Sequence, residues 1–244
     1  MFAANPSRDQ TVQSMFDRIS GRYDLLNRVI SLRFDARWRQ QVIHAALASE
    51  DPHVLDIGTG TGDLIFDAAK ATRGRGRFVG LDFSLEMLRL ACAKRARLSP
   101  GARAVFVMGS AMNVPFENAT FDGAMSAFVL RNVSDLPLLF GEAHRVLKPG
   151  GRFVSLDMFP PSRGWFSTLY SVYFHCFMPR IGALLARDRA AYQYLSDSVR
   201  QFHPPETVAM LIEQAGFKEV TLRKFLSGAV CMHSAVKSSA SESA

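Results

Sequence analysis

VLDIGTGTGDL, residues 54–64, decides the fold. A short apolar-leaning run is followed by glycines on alternate positions, 58, 60 and 62, and then directly by Asp63. A short apolar run ending in glycine reads as a buried strand, here HVLDIG (53–58), and DLIFDAAKA (63–71) reads as the helix behind it. Glycine takes positive φ freely and lets backbone approach a ligand closely. The start of the following helix offers N–H groups to an anion. In an open α/β sheet such a loop, at the carboxyl end of a strand, is where ligands bind.

The same alternation repeats outward. RFVGLDF (77–83), AVFVMGSA (104–111), FDGAMSAFVL (121–130) and RFVSLDM (152–158) read as strands. SLEMLRLACAKRAR (84–97), with Ser84 as its N-cap, and DLPLLFGEAHRVL (135–147), stopped by KPGG (148–151), read as helices. After Asp157 the alternation pauses for an aromatic-rich, mostly helical stretch. PETVAMLIEQAG (205–216) is then a helix, and FKEVTLRKF and GAVCMHSAV form a hairpin around LSG. Upstream, residues 1–12 read as loose and 13–50 as helical. The expected fold is α/β: a doubly wound, mostly parallel, seven-stranded Rossmann-like sheet with an antiparallel C-terminal hairpin and a helical lid. One domain accounts for the chain: a lid (1–50), a core (51–157), a helical insertion (158–204), a helix and hairpin (205–237) and a tail (238–244).

The glycine spacing bears on the ligand. A dinucleotide fingerprint is G-x-G-x-x-G, whereas here the third glycine comes one place early. Asp63 would put negative charge where a pyrophosphate sits. An acid there suits a ligand with an ammonium group and no phosphate, and S-adenosylmethionine is such a ligand. Asp82, at the end of the second strand, can accept from both ribose hydroxyls.

These segments resemble the class I S-adenosylmethionine-dependent methyltransferases over about residues 52–157: VLDIGTGTGDL their first motif, GLDFSLEML the ribose segment, GSAMNVPFENATFDGAMS the adenine segment and fourth strand, and RVLKPGGRFVSLD the entry to the fifth. A closer resemblance lies outside that core. MFDRISGRYDLLNRVISLRFDARWR, FVLRNVSD and MPRIGALLARDRAAYQYLSDSVRQF with AGFKEV and LSGAVCMH are similar to the ubiquinone/menaquinone biosynthesis C-methyltransferases, over roughly 13–235. That resemblance implies C-methylation of a polyprenyl quinol, first of all demethylmenaquinol to menaquinol, with the benzoquinol of ubiquinone biosynthesis as the nearest competitor. It implies cofactor contacts at Gly58, Gly60, Thr61, Asp63 and Asp82, at Ser110 and Ala111 beside the adenine, and at Ala127. The chain departs from the family pattern at Leu26, Asp35, Ser110, Val129 and Asp157; Val129, in place of Gly, adds bulk beside the site.

For such a reaction the methyl donor is already activated, so the protein must align the partners and exclude water. A quinol carbon becomes strongly nucleophilic when its neighbouring hydroxyl loses a proton. Arg131 is the candidate cation for the phenolate, Tyr23 the candidate proton relay and Asp24 the candidate orienter of either. His175 and His203 fit structural roles better than catalytic ones. No metal-ligand cluster is evident.

Composition bounds the partners. With 29 Lys and Arg against 22 Asp and Glu the chain carries a formal +7. The basic residues are scattered without a nucleic-acid motif, so nucleic acid is not expected. The aromatic insertion WFSTLYSVYFHCFMPRIGALL (165–185), with Arg180, Arg187 and Arg189 nearby, suits an isoprenoid tail and contact with anionic lipid, and it is too interrupted to span a bilayer. Cys92, Cys176 and Cys231 are far apart and fit a reducing cytosol, and MFAANPSRDQ has no apolar core of a signal peptide. A cytoplasmic protein, peripheral on the inner face of the membrane, is expected; a homodimer is left open. The competing readings are an NAD-dependent oxidoreductase, a degenerate cofactor-binding module, and a methyltransferase for another small hydrophobic phenol.

Overall fold

A computed structural model of the chain describes residues 6–24, 34–98, 103–160 and 189–239. Its centre is a seven-stranded sheet: β1 (His53–Ile57), β2 (Arg77–Asp82), β3 (Ala104–Met108), β4 (Phe121–Ala127), β5 (Leu147–Met158), β6 (Phe217–Phe225) and β7 (Val230–Lys237). The strands lie in the order β3-β2-β1-β4-β5-β7-β6. The first five run parallel, and β7 is antiparallel to both β5 and β6. The expected doubly wound sheet with its antiparallel C-terminal hairpin is therefore the observed one. The turn order reverses at β1, between β2 and β4, which is where an open sheet offers a crevice.

Seven α-helices accompany the sheet among the described residues: α1 (Pro6–Ile19), α2 (Asp35–Ala46), α3 (Asp63–Ala71), α4 (Leu85–Leu98), α5 (Leu136–Val146), α6 (Arg189–Arg200) and α7 (Pro205–Gln214). The period of two along β1 sorts the core. Val54 packs with Trp38, Val42 and Ile43 of α2 and with Leu64 and Ile65 of α3. Leu55 and Ile57 face the other way, into the cluster that also holds Leu139, Phe140 and Ala143 of α5 and Val208 and Ile212 of α7. Burial of side chains this large contributes about 1.5–3 kcal/mol each. The helix starts follow capping chemistry. Asp135 accepts from the Leu138 N–H at 2.9 Å ahead of α5, and Ser84 Oγ accepts from the Met87 N–H at 3.2 Å ahead of α4.

Two local expectations change. Residues 1–12 read as loose, yet α1 begins at Pro6. Among the described side chains of α1 only Val12 and Met15 are buried, so its apolar periodicity is weak; its polar side chains do much of the docking. KPGG ends α5 as expected, but the fifth strand, read from Arg152, begins earlier and includes it. β5 starts at Leu147, paired with Phe121, and resumes at Arg152, paired with Gly123, so the four residues form a bulge within the strand. His175, Cys176, Arg180, Arg187 and the whole aromatic insertion, 165–185, lie outside the described residues.

Candidate active site

The glycine loop is tied to β2 by backbone. The N–H groups of Gly58 and Thr59 both donate to the Leu81 carbonyl, at 2.8 and 3.0 Å. The Gly60 N–H donates to Asp82 Oδ2 at 2.7 Å, and the Ser84 N–H donates to Asp82 Oδ1 at 2.9 Å. Asp82 is thus fixed at the end of β2 with one amide on each oxygen. Burial pushes its carboxyl above the usual range, against those amides. Gly58 needs to be glycine twice over: its φ is +74°, and a Cβ there would lie 2.4 Å from Val129 Cγ2.

Two cavities meet over this loop. The larger, about 300 Å³, lies between β2 and the segment after β4. Its walls include Phe16, Tyr23, Phe83, Met87, Met112, Phe128, Val129 and Val133, with Asp9, Asp82, Ser110, Ala111 and Asn132 supplying polar or small surface. The smaller, about 50 Å³, is lined by Asp24, Asp35, Arg39, Asp56, Thr59, Thr61, Asp63 and Ala127. Tyr23, Gly58, Gly60 and Phe128 border both. The Tyr23 ring closes over the loop: its Cε1 lies 3.6 Å from where a Gly60 Cβ would be.

The smaller cavity is rich in carboxylates. Lys94 of α4 bridges Asp24 Oδ2 at 2.5 Å and Asp63 Oδ1 at 2.7 Å, and donates to Thr61 Oγ1 at 2.8 Å. The Thr61 hydroxyl in turn donates to Asp24 at 2.6 Å. Arg39 pairs with Asp35 and Asp67. Asp56 is different: it is almost fully buried, and its Oδ2, like the Thr59 hydroxyl, has no hydrogen-bond partner among the described residues. Burial pushes its carboxyl up to about 7, against the opposing pull of the adjacent Thr59 hydroxyl, with the nearby charge of Asp82 adding a smaller upward push. An unpartnered buried carboxylate oxygen beside a glycine loop suits a cationic ligand group.

Helix α1 crosses the mouth of the larger cavity and is stapled by three side chains on one face, four residues apart. Gln13 Nε2 donates to the Phe83 carbonyl at 2.6 Å, Asp17 accepts from the Ser84 hydroxyl, and Asp9 Oδ2 accepts from the Ser134 hydroxyl at 3.2 Å. Phe16 on the same helix meets Tyr23 and Phe83 edge-on.

A model of the ubiE/COQ5 methyltransferase family matches residues 4–237. The chain belongs to that family. The ubiquinone/menaquinone biosynthesis C-methyltransferase UbiE of Desulfotalea psychrophila is 40% identical over 95% of this chain and 92% of its own. A demethylmenaquinone methyltransferase of Deinococcus radiodurans is 41% identical over 86% of each chain. Among solved structures, an S-adenosylmethionine-dependent methyltransferase of Aquifex aeolicus superposes with a TM-score of 0.60 at 17% identity, covering 96% of this chain and 98% of that one. The Haemonchus contortus phosphoethanolamine N-methyltransferase 2 with S-adenosyl-L-methionine gives 0.61 at 15% identity, over 93% of this chain and 60% of that one. At such identities the two structures establish the fold. The chain is a methyltransferase of the Rossmann-like, S-adenosylmethionine-dependent class.

Gly58, Gly60, Asp82, Ser110 and Ala111 line the larger cavity, and Thr61, Asp63 and Ala127 the smaller. Tyr23 and Asp24 reach the same place from the end of the lid. Asp24 orients Thr61 and Lys94, where the sequence had suggested Arg131 or Tyr23. Arg131 lines neither cavity. Its guanidinium pairs with the buried Asp157, whose other oxygen accepts the Arg131 N–H at 3.3 Å. The neighbouring Asn132 faces the cavity instead, with Tyr194 donating to its Oδ1 at 3.1 Å. Asp9, Asp56, Lys94 and Asn132 were not singled out from sequence. Asp56 carried a signal, since it shares the β1 face of Val54 two residues on. Lys94 carried none, because only the packing of α4 brings it 33 residues back to Thr61. His203 is exposed beside Phe202. Among the described residues no cluster of His, Cys, Asp and Glu could hold a metal ion.

Proposed function

We propose that this methyltransferase C-methylates demethylmenaquinol, a naphthoquinol with an isoprenoid tail, in menaquinone biosynthesis. The observation that carries the reading is the pair of cavities meeting at one glycine loop, one lined by carboxylates and the other by aromatic and aliphatic side chains. The relatives named demethylmenaquinone methyltransferase, 35–41% identical over most of both chains, support it.

The residues present fit S-adenosylmethionine. Asp82 would accept from the ribose hydroxyls, and the unpartnered Oδ2 of Asp56 and the Thr59 hydroxyl would take the α-ammonium group. Ser110 and Ala111 would border the adenine, with Phe83 and Met87 as apolar walls, while Gly58, Gly60, Thr61, Asp63 and Ala127 would surround the methionyl part. When bound, the cofactor supplies a methyl group activated on a sulfonium. The excess of carboxylates around the loop favours a cation there. Phe16, Tyr23, Phe128, Val129 and Val133 would exclude water and hold a flat aromatic ring, and the Asn132 amide would hydrogen-bond a ring oxygen. Arg131, through Asp157, would hold the Asn132 turn in place, and Tyr23 would close the lid over the reacting groups. No helix among the described residues is long and apolar enough to cross a membrane. We place the enzyme in the cytoplasm, meeting its lipid-tailed substrate at the inner face of the membrane.

The test is direct. Purified enzyme with S-adenosylmethionine is given reduced demethylmenaquinone, a reduced 2-methoxy-6-polyprenyl benzoquinone, or a tail-less naphthol, and products are read by mass spectrometry. Methylation of the naphthoquinol with the highest kcat/KM is expected. Methylation of the benzoquinol in preference, or of neither quinol, overturns the substrate.

A further inference from the structure

We infer that Lys94, on α4, is a positioning residue for methyl transfer: through Asp24 it holds Tyr23 closed over the glycine loop. The inference rests on reading the two cavities that meet at that loop as the cofactor and acceptor sites.

Tyr23 and Asp24 are neighbours in the chain, and their side chains do different things. Tyr23 borders both cavities, with its Cε1 3.6 Å from where a Gly60 Cβ would lie. Asp24 is the fastening. Its Oδ1 accepts from the Thr61 hydroxyl at 2.6 Å, and its Oδ2 meets Lys94 Nζ at 2.5 Å. Thr61 belongs to the glycine loop, so Asp24 is tied to that loop directly and, through Lys94, to α4. Lys94 also reaches Asp63 Oδ1 at 2.7 Å and Thr61 Oγ1 at 2.8 Å. One ammonium group thus serves three oxygens with its three donors, and only 14% of the Lys94 side chain is exposed. Removing it would leave the Asp24 and Asp63 carboxylates facing the same gap with like charge. Arg39, the other cation beside them, stands 4.0 Å from Asp63 and is engaged with Asp35 and Asp67.

The consequence is geometric. Gln13 and Asp17 pin α1 to the Phe83 carbonyl and the Ser84 hydroxyl, so they hold the helix and leave the loop contact to Tyr23 and Asp24. Methyl transfer needs donor and acceptor in line and water kept out, and a misplacement of about 1 Å costs about 10²-fold in rate. Tyr23 stands where the two cavities join. A lid end released from Lys94 therefore loosens the wall that both reactants share. The contacts proposed for the ribose and the ammonium group, at Asp82, Asp56 and Thr59, do not run through Lys94, so the loss falls on turnover before it falls on cofactor affinity.

The test compares wild type, Lys94→Met, Lys94→Arg, Asp24→Asn and the double variant Lys94→Met/Asp24→Asn. Acceptor kcat and KM are measured at saturating cofactor, cofactor affinity by calorimetry, folding by thermal melting, and amide exchange at residues 20–24 by mass spectrometry. Lys94→Met is expected to lower kcat about 10–100-fold, the scale of a lost alignment. Cofactor affinity and melting should change little, and exchange should quicken at residues 20–24 but not in β1. Lys94→Arg keeps the charge and restores most of kcat. Asp24→Asn shows a smaller loss of the same kind, and the double variant falls no further than Lys94→Met, because both break one link. Wild-type kcat and exchange in Lys94→Met overturn the inference. So does a fall in cofactor affinity that accounts for the whole loss of turnover, which would make Lys94 a cofactor ligand. Additive losses in the double variant overturn it too, since Lys94 would then act without Asp24. If wild type itself gives no methylated quinol, the substrate reading fails, and the exchange measurement still decides on Lys94: unchanged exchange at residues 20–24 in Lys94→Met removes it.

Discussion

Gly58 and Val129 press on each other across the loop, and the pair separates two costs that usually come together. Gly58→Ala meets Val129 Cγ2 at 2.4 Å and must also hold φ near +74°. The dihedral costs about 1–3 kcal/mol and the overpacking about 1–3 kcal/mol more. Adding Val129→Gly is expected to recover the second part alone, as a double-mutant cycle in urea denaturation would show; full recovery would mean that backbone strain plays no part. Asp82 is a second test at this scale. Asp82→Ala removes a charged acceptor from the ribose and from two amides, so cofactor affinity measured by calorimetry should fall about 10–100-fold, the equivalent of one charged hydrogen bond. Unchanged affinity would remove the ribose from that position. The acids also show what a sequence conceals. Asp63 stood out because it follows the glycines, yet Lys94 already neutralises it. Asp56, two residues before the first glycine, has the unpartnered oxygen. Spacing pointed to Asp63 alone, and which acid beside the loop keeps an unpartnered oxygen depends on a lysine from another helix.

At the scale of elements, the core strands and their helices were legible because apolar runs, glycine stops and caps all agree there. The start of α1, Pro6 to Val12, was not legible, and neither was the way the helix docks, for a physical reason: that docking is polar. Gln13, Asp17 and Asp9 do work that a hydrophobic stripe does elsewhere, and no periodicity of apolar residues announces it. The same fact predicts its weakness. A neutral hydrogen bond contributes about 0.5–1.5 kcal/mol net, so the double variant Gln13→Ala/Asp17→Ala should speed amide exchange in α1 by roughly 5–100-fold while exchange in β1 and β4 stays as it was. Faster exchange throughout the sheet would mean that α1 belongs to the cooperative core and is not a separately opening lid. The aromatic insertion, residues 165–185, lies outside the described residues, so the expected contacts with an isoprenoid tail and a membrane rest on its sequence.

At the scale of the whole molecule, the site is built at the expense of stability, and pH exposes the cost. The Asp56 carboxyl titrates at about 7 in the fold against an ordinary value of 3.8. A raised carboxyl means that the native state binds the proton more tightly than the unfolded chain. The associated stability is complete below the ordinary value, and it is lost progressively as pH rises towards the folded one. Beyond that no further loss comes from this group. The ceiling is about 4 kcal/mol, from the size of the shift at 1.36 kcal/mol per unit. Other groups slope too: Asp82 in the same sense, and the buried His233, lowered by burial, in the opposite one. A comparison with Asp56→Asn isolates the contribution, since the amide cannot titrate and leaves the others in place. The unfolding free energy of Asp56→Asn minus that of wild type should climb from about pH 4 to about pH 7 and then level off. S-adenosylmethionine should reverse the ranking at neutral pH, because its ammonium group compensates the buried charge only where the carboxylate is present. Parallel stability curves for the two proteins would mean that Asp56 is neither as buried nor as unpaired as its surroundings indicate. A climb without reversal by the cofactor would keep the strain but move the ammonium elsewhere.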